Sequence, residues 1–218
     1  MSIINSFPDY GSGGQMPIAV YGDVRTTGYL AGSNGGQYTL GGAPTGTIYS
    51  LPIGEAFDST SDGSHNYLVD WGTGNVYQTA RDFTNPVLLF NAGVQNLGIT
   101  YDAANNSLWI SGEYGTTYVT DYSLSGTLLS SFSTGHDYND ALALDPADHT
   151  LWLVNNNSGY LEQYSQTGLL LSTGPYVGAT HGGEFNLAPA TTPEPGTLIM
   201  FGSGVLGLAG VLRRKISP

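Results

Sequence analysis

Gly98-Ile99-Thr100-Tyr101-Asp102 is followed, after four residues, by Ser107-Leu108-Trp109-Ile110, and the same pattern occurs again 43 residues further on. The second copy reads Ala141-Leu142-Ala143-Leu144-Asp145 and then Thr150-Leu151-Trp152-Leu153. Each copy continues with a segment that ends near a tyrosine and an apolar segment after a glycine turn. Four short strands in about 40 residues are typical of a propeller blade. The sequence therefore predicts an all-β, β-propeller-like domain built from four-stranded repeats.

A looser copy of the repeat precedes these two. It runs from Ala56-Phe57-Asp58 to Val87-Leu88-Leu89-Phe90, with an insertion after the aspartate. Further out, residues 29–51 resemble the last three strands of a blade and residues 183–187 resemble a first strand. The two ends could form one split blade that closes a four-bladed ring and removes exposed sheet edges. The repeats could equally be a partial arc of a larger propeller, and a β-sandwich of irregular repeats is the remaining alternative.

The most regular residues of the repeat are predicted to be architectural. Asp102 and Asp145 recur at one turn, where an aspartate side chain accepts hydrogen bonds from backbone amides. Trp109 and Trp152 recur at one strand position and are most simply core residues. A catalytic residue needs to be present only once, so this recurrence favours a structural role.

Composition excludes several classes of function. The 218 residues carry a net charge of −12, and outside the C-terminal tail Arg25 and Arg81 are the cationic residues. Without a basic patch, nucleic-acid binding is not expected. The chain has no cysteine, which excludes disulfides and thiolate metal sites.

The C-terminal tail has three parts in a fixed order. Pro193-Glu194-Pro195 precedes an uncharged, apolar run over residues 196–212, and Arg213-Arg214-Lys215 follow it. A helix of that length reaches roughly 26 Å at about 1.5 Å per residue, close to the ~30 Å apolar core of a bilayer. Burying each cation would cost about 2.5 to 3.5 kcal/mol, so the basic triplet is expected to stay cytoplasmic. The tail is therefore predicted to be one hydrophobic transmembrane helix with its N-terminal side exported.

This tail resembles the PEP-CTERM sorting signal of Gram-negative bacteria. The resemblance implies export, recognition by an exosortase, a transient stay in the inner membrane, and delivery to the outer surface or the extracellular matrix. That family also carries an N-terminal signal peptide, whereas Met1 to Asp9 contains neither a basic region nor an apolar one. We therefore expect a leader to be missing. The body is similar to the propellers of the NHL and gluconolactonase type, at the level of a generic blade.

These observations predict four regions. They are an irregular N-terminus at residues 1–19, a propeller-like repeat domain at 20–188, a spacer at 189–192, and the sorting signal with its transmembrane helix at 193–218.

Candidate metal ligands are few. His136, Asp137 and Asp140 stand just before a repeat and His181 stands before Gly183, at positions that could approach a central channel. They form the candidate site for a divalent metal such as Ca²⁺, and the alternative is a solvated loop rich in turn-forming residues. Residues 58–63 partly match a calcium loop, but position 12 is Val69 instead of a glutamate, which favours an inserted surface loop.

Trp71 lies outside the aligned strands and could stack on a sugar ring. The sequence contains no recognisable catalytic motif in its body, so no catalytic residue and no cofactor are assigned. We expect a non-enzymatic, exported binding or structural module. The alternatives are a metal-dependent hydrolase or lactonase and a carbohydrate-binding module that contacts exopolysaccharide.

Overall fold

A computed structural model describes residues 14–178 and 180–189. Sixteen strands within these ranges form four antiparallel sheets of four strands each. In every sheet the strands are hydrogen-bonded in chain order, so each sheet is a simple meander. The first strands of consecutive blades contact one another around the centre. The prediction of an all-β protein built from four-stranded repeats is confirmed, and the repeats form a four-bladed propeller.

The blades follow one another along the chain. Blade 1 contains β1 (Gln15–Val20), β2 (Val24–Gly28), β3 (Asn34–Tyr38) and β4 (Pro44–Ser50). Blade 2 contains β5 (Ser59–Ser61), β6 (His65–Val69), β7 (Asn75–Ala80) and β8 (Val87–Asn91). Blade 3 contains β9 (Asn96–Asp102), β10 (Ser107–Gly112), β11 (Tyr118–Ser123) and β12 (Leu128–Ser133). Blade 4 contains β13 (Asn139–Leu144), β14 (Leu151–Asn155), β15 (Tyr160–Tyr164) and β16 (Leu170–Tyr176).

The hydrophobic core lies between neighbouring blades. Between blades 3 and 4, Trp109 and Phe132 pack against Leu142, Leu153 and Tyr164. Trp109 is only 1% exposed, so its predicted place in the core is confirmed. The turn predicted from the recurring aspartates is also confirmed, because Asp102 Oδ1 and Asp145 Oδ1 each accept a backbone N–H two residues ahead at 2.8 Å.

After blade 4 the chain continues as an extended stretch that we call the closing segment (residues 180–188), and this stretch is hydrogen-bonded to both blade 4 and blade 1. Ala141 donates its backbone N–H to the carbonyl of His181 at 3.2 Å, and Leu187 donates its backbone N–H to the carbonyl of Val20 at 3.3 Å. A Cβ added to Gly182 would lie 1.9 Å from the carbonyl oxygen of Met16, so this position requires glycine. The closing segment thus lies between the first and the last blade and contacts both.

The split blade, one of the arrangements that the sequence leaves open, does not form. Blade 1 is complete, and its first strand β1 begins at Gln15, within the region expected to be irregular. The ladder between β1 and β2 shifts register between Gln15 and Ile18, and the intervening Pro17 has no N–H to donate. Because of this proline at a bulge, the sequence pattern does not predict a strand here. Residues 183–187, expected to be a strand, belong to the closing segment and lie outside the named strands.

The expected surface loop at residues 58–63 is also wrong. Ser59–Ser61 is the first strand of blade 2, and all three of its residues are buried. The next residue, Asp62, accepts the backbone N–H of Ser64 at 2.7 Å. Asp62 therefore occupies the turn position of Asp102, and Asp58 lies before the strand at the propeller centre. The sequence predicts a loop here because serine and threonine residues are typical of loops.

The predicted sorting motif, with Pro193, Glu194, Pro195, Arg213, Arg214 and Lys215, lies outside the described residues, as does the expected transmembrane helix at 196–212. Within residues 14–178 and 180–189, no helix is long and apolar enough to cross a membrane.

Candidate functional site

The candidate site lies at one end of the propeller, which we call the mouth. In an antiparallel meander, the loop between the second and third strands lies at the same end as the connection from the preceding blade. Six side chains form the mouth cluster: Tyr29, Phe57, Trp71 and Glu113 from these loops and connections, Asp140 from the start of β13, and His181 from the closing segment. Three of the six, Trp71, Asp140 and His181, are also candidates from the sequence. The cluster combines aromatic rings with two carboxyl groups and one imidazole.

Phe57 is the centre of the aromatic part. Its ring centroid lies 5.8 Å from that of Tyr29, 6.1 Å from that of Trp71 and 5.4 Å from that of His181. Tyr29 is stacked on it, whereas Trp71 presents an edge-to-face arrangement. These separations are in the range in which aromatic pairs attract each other. The rings of blades 1 and 2 and of the closing segment therefore form one continuous aromatic surface.

Trp71 is held in place by a polar contact with the neighbouring blade. It lies in the loop between β6 and β7, is half-buried, and donates its indole N–H to Glu113 Oε2 at 2.6 Å. Glu113 lies in the corresponding loop of blade 3, between β10 and β11. A repeat position could therefore have identified Glu113 from the sequence. The hydrogen bond fixes the indole while leaving part of its surface accessible to a ligand.

Asp140 and His181 form the second part of the cluster. His181 Nδ1 lies 2.8 Å from Asp140 Oδ2, which also accepts a hydrogen bond from the Asn156 side chain. Asp140 is fully buried, whereas the His181 side chain is 36% exposed at the mouth. The other carboxyl oxygen of Asp140, Oδ1, is buried and has no hydrogen-bond partner. A buried carboxylate thus orients a half-exposed imidazole.

The backbone around Asp140 has an unusual conformation. Tyr138 has a φ of 61° and Ala141 a φ of 47°, in the left-handed region that non-glycine residues rarely adopt. The register of β13 against β14 shifts between Asp140 and Ala143, which marks a bulge. Bulges redirect side chains and are frequent next to functional sites. The bulge therefore determines the direction in which the Asp140 side chain projects from the strand.

Burial and pairing shift the pKa values of this pair. Burial raises the pKa of Asp140 to about 6, although the hydrogen bond from His181 and its charge act in the opposite direction. The hydrogen bond to Asp140 raises the pKa of His181 above its usual value, more than burial lowers it. Asp140 is therefore protonated more readily than an ordinary aspartate, and His181 holds its proton more firmly than an ordinary histidine, so the two groups can share a proton.

The predicted metal ligands are only partly brought together. Asp140 and His181 are in contact, but Asp137 Oδ1 accepts a hydrogen bond from Asn157 at 2.9 Å. His136 is exposed on the connection before β13. Among the residues that the structure describes, no group of three or more histidine or acidic side chains is arranged to hold a metal ion.

A second pair of acidic residues lies at the centre of the propeller. Glu184, on the closing segment, accepts hydrogen bonds from the hydroxyls of Thr60 in β5 and Thr100 in β9. Asp58 accepts the backbone N–H of Ile99 and that of Gly183, both at 3.3 Å. Burial raises the pKa of Glu184 and of Asp58 well above their usual range, and the proximity of Glu184 raises the pKa of Asp58 further. This pair connects the closing segment to blades 2 and 3.

The fold and the site define a β-propeller with an aromatic and acidic mouth. The Myxococcus xanthus glutaminyl cyclase has a similar structure, with 16% identity, a TM-score of 0.56, and coverage of 77% of this chain and 74% of that one. A streptogramin B lyase structure gives 18% identity and a TM-score of 0.53, and covers 78% of this chain and 56% of that one. A nidogen/laminin complex gives 15% identity and a TM-score of 0.51, and covers 78% of this chain and 83% of that one. At these identities the likeness establishes the fold alone.

The tail identifies the transport route. Residues 191–215 match the PEP-CTERM protein-sorting motif, so the resemblance found in the sequence is confirmed. The motif indicates an exported protein that is sorted by an exosortase to the cell surface. No curated protein matches the sequence of this chain.

Proposed function

We propose that this protein is a non-enzymatic binding module of the cell surface that takes a carbohydrate, as a segment of exopolysaccharide, at its mouth. The observation that supports this proposal best is the fixed position of Trp71, whose indole N–H is bound by Glu113 while its ring packs against Phe57. A rigid aromatic surface beside a carboxylate suits a sugar, because the ring contacts C–H groups and the carboxylate accepts hydroxyl hydrogens. The exosortase and, transiently, the inner membrane are the partners on the way to the surface.

Binding to purified exopolysaccharide tests this proposal. We expect isothermal titration calorimetry to show saturable binding by the full chain, and Trp71→Ala to weaken it at least about tenfold, which corresponds to about 1.4 kcal/mol. Leu169→Ala is the matched control, since this side chain is 64% exposed in the turn between β15 and β16, at the end of the propeller opposite the mouth. The proposal fails if Trp71→Ala, shown to be folded by circular dichroism, binds as tightly as the wild type.

One observation favours a second function. The pairing of a buried Asp140 with a half-exposed His181 is also suited to acid–base catalysis in a hydrolase or lactonase. Turnover of lactone or ester substrates by the dialysed protein, with and without added Ca²⁺, tests this alternative. Activity that disappears in His181→Ala would replace the binding proposal, and inactivity under both conditions removes the alternative.

A further inference from the structure

The two repeated tryptophans lie in different surroundings. Trp109 pairs with Thr100 of β9 and Trp152 pairs with Ala143 of β13, so they occupy the same place in blades 3 and 4. Blade 4 covers Trp109, which is 1% exposed. Trp152 is half-buried, because the corresponding face of blade 4 is covered by the closing segment instead of a blade.

A single extended segment fills less space than a four-stranded sheet, and a cavity of about 290 Å³ remains over this face. Its walls are largely apolar and include Ala143, Trp152, Val154, Leu161 and Phe185. None of the six residues of the mouth cluster lines it. Gly182 lies close against Met16 of β1, while His181 and Gly183 on either side of it contact Ala141 at the start of blade 4. The cavity is therefore a product of how the propeller is closed.

We propose that this cavity is a binding site for a small, uncharged, apolar molecule of two or three rings. The size follows from the volume, because this pocket, which is open to solvent, holds about 290 Å³, and an enclosed apolar cavity of about 150 Å³ already binds benzene. The residues of the mouth cluster do not line the cavity, so this proposal does not rest on the carbohydrate proposal. Apolar burial supplies the attraction, and it scales with the apolar surface removed from water.

The charges around the cavity determine which ligands it excludes. Glu184 is the ionisable residue in its wall, and the hydroxyls of Thr60 and Thr100 already occupy its carboxyl oxygens. Among the residues that the structure describes, no arginine or lysine lines the cavity. A charged ligand would lose its hydration without gaining an ion-pair partner, which is unfavourable in an apolar site. The site therefore selects neutral molecules and discriminates most strongly against anions.

Two dyes with one ring system test this selectivity. N-phenyl-1-naphthylamine is uncharged and becomes fluorescent in apolar surroundings, and 8-anilino-1-naphthalenesulfonate has the same rings and a negative charge. With the full chain, we expect saturable binding of the neutral dye and at least about tenfold weaker binding of the sulfonate. Ala143→Leu, which fills the cavity, should abolish the saturable part, while Leu129→Ser on an exposed outer strand should preserve it. Dye taken up by the apolar tail is the same in each variant and cancels in the comparison.

A measurement on the wild type avoids any loss of folding in a variant. The chain has three tryptophans, and three Trp→Phe variants assign their indole N–H signals in an NMR spectrum. The neutral dye should shift the Trp152 signal and leave those of Trp71 and Trp109 in place. Equal affinity for both dyes, unchanged binding by a folded Ala143→Leu, or a Trp152 signal that does not move at saturating dye would each overturn the proposal.

Discussion

The hydroxyl of Thr100 donates a hydrogen bond to the carboxyl group of Glu184, although 84 residues separate the two in the chain. The threonine Oγ1 lies 3.1 Å from each of the two carboxyl oxygens. Thr100 Oγ1 in turn accepts the backbone N–H of Leu144 at 3.0 Å. The same relation occurs one blade earlier, where Thr60 bonds Glu184 and accepts the backbone N–H of Tyr101 at 2.9 Å. One side chain from the closing segment thus connects to the inner strands of three blades.

Removal of this side chain should destabilise the propeller. We expect Glu184→Ala to lower the free energy of unfolding by about 1 to 3 kcal/mol, because two buried hydroxyls lose their acceptor. Glu184→Gln retains an amide oxygen as acceptor and should cost less than half as much. Urea denaturation of the full chain measures both. If the alanine variant is as stable as the wild type, Glu184 does not hold the closing segment.

The pH dependence of stability should have an unusual direction. Because burial raises the pKa of Glu184 and of Asp58, the folded state retains protons that the unfolded chain releases. The stability that these two groups contribute is then fully present below pH of about 4, the ordinary carboxyl range, and decreases as the pH rises toward the raised pKa values. The slope is at most about 1.4 kcal/mol per pH unit for each retained proton.

Urea midpoints between pH 4 and 8.5 measure this decrease. Glu184→Gln removes one of the carboxyl groups with a raised pKa, so its curve should be flatter than that of the wild type. A wild-type stability that increases steadily between pH 5 and 8 would contradict the assignment of raised pKa values.

Trp109 and Trp152 offer a matched pair of substitutions. Trp109→Ala should cost about 3 to 5 kcal/mol, the usual range for a large aromatic residue deleted from a core. Trp152→Ala should cost less than half of this, because its ring is already half-buried beside a cavity. Thermal denaturation compares the two variants directly. Equal losses would mean that blade 4 is covered as completely as blade 3.

The sequence predicts blades 3 and 4 well and the ring closure poorly. Its signal is strongest where apolar strands alternate with turns, as around Trp109 and Trp152, because both faces of those strands are buried. Strand β5 is not predicted because Ser59–Ser61 is a polar run, and such a run is ambiguous without its partners. The hydroxyl of Thr60 bonds Glu184 and the next blade, whereas that of Ser61 bonds the carbonyl of His65 in its own blade. The closing segment has no repeating pattern, since it packs through single contacts.

The candidate site was predictable in the same partial sense. Asp140 and His181 were selected because each stands before the start of a repeat unit, and they form a hydrogen bond. Phe57 and Tyr29 were not selected, because an aromatic residue beside a strand is most often a core residue. Their place in the mouth cluster depends on tertiary contacts between loops that are distant in the chain, and a local sequence pattern does not predict such contacts.

The Asp140–His181 contact predicts a titration that can be observed. NMR signals of the four histidines should show His181 with a pKa above its usual value, since the carboxylate of Asp140 favours the charged imidazole. Asp140→Asn should lower the pKa of His181 toward about 6.5 or below it, because burial then acts without the carboxylate. Asp137→Asn is the control, as its carboxyl group bonds Asn157 instead. An unchanged His181 titration in Asp140→Asn would exclude the pair as an electrostatic unit.

The sorting motif predicts how location should respond to substitution. In a Gram-negative host that has an exosortase, we expect the full chain, supplied with a signal peptide and an N-terminal epitope, to reach the cell surface. Replacing Pro193, Glu194 and Pro195 by alanine should keep it in the inner membrane, because the apolar segment and its basic triplet still stop transfer while the recognised motif is gone. Pro189→Ala lies outside the matched residues and should leave the location unchanged. Fractionation with immunoblotting measures the distribution, and a wild-type chain that stays wholly cytosolic despite the signal peptide would show that the tail does not act as a sorting signal.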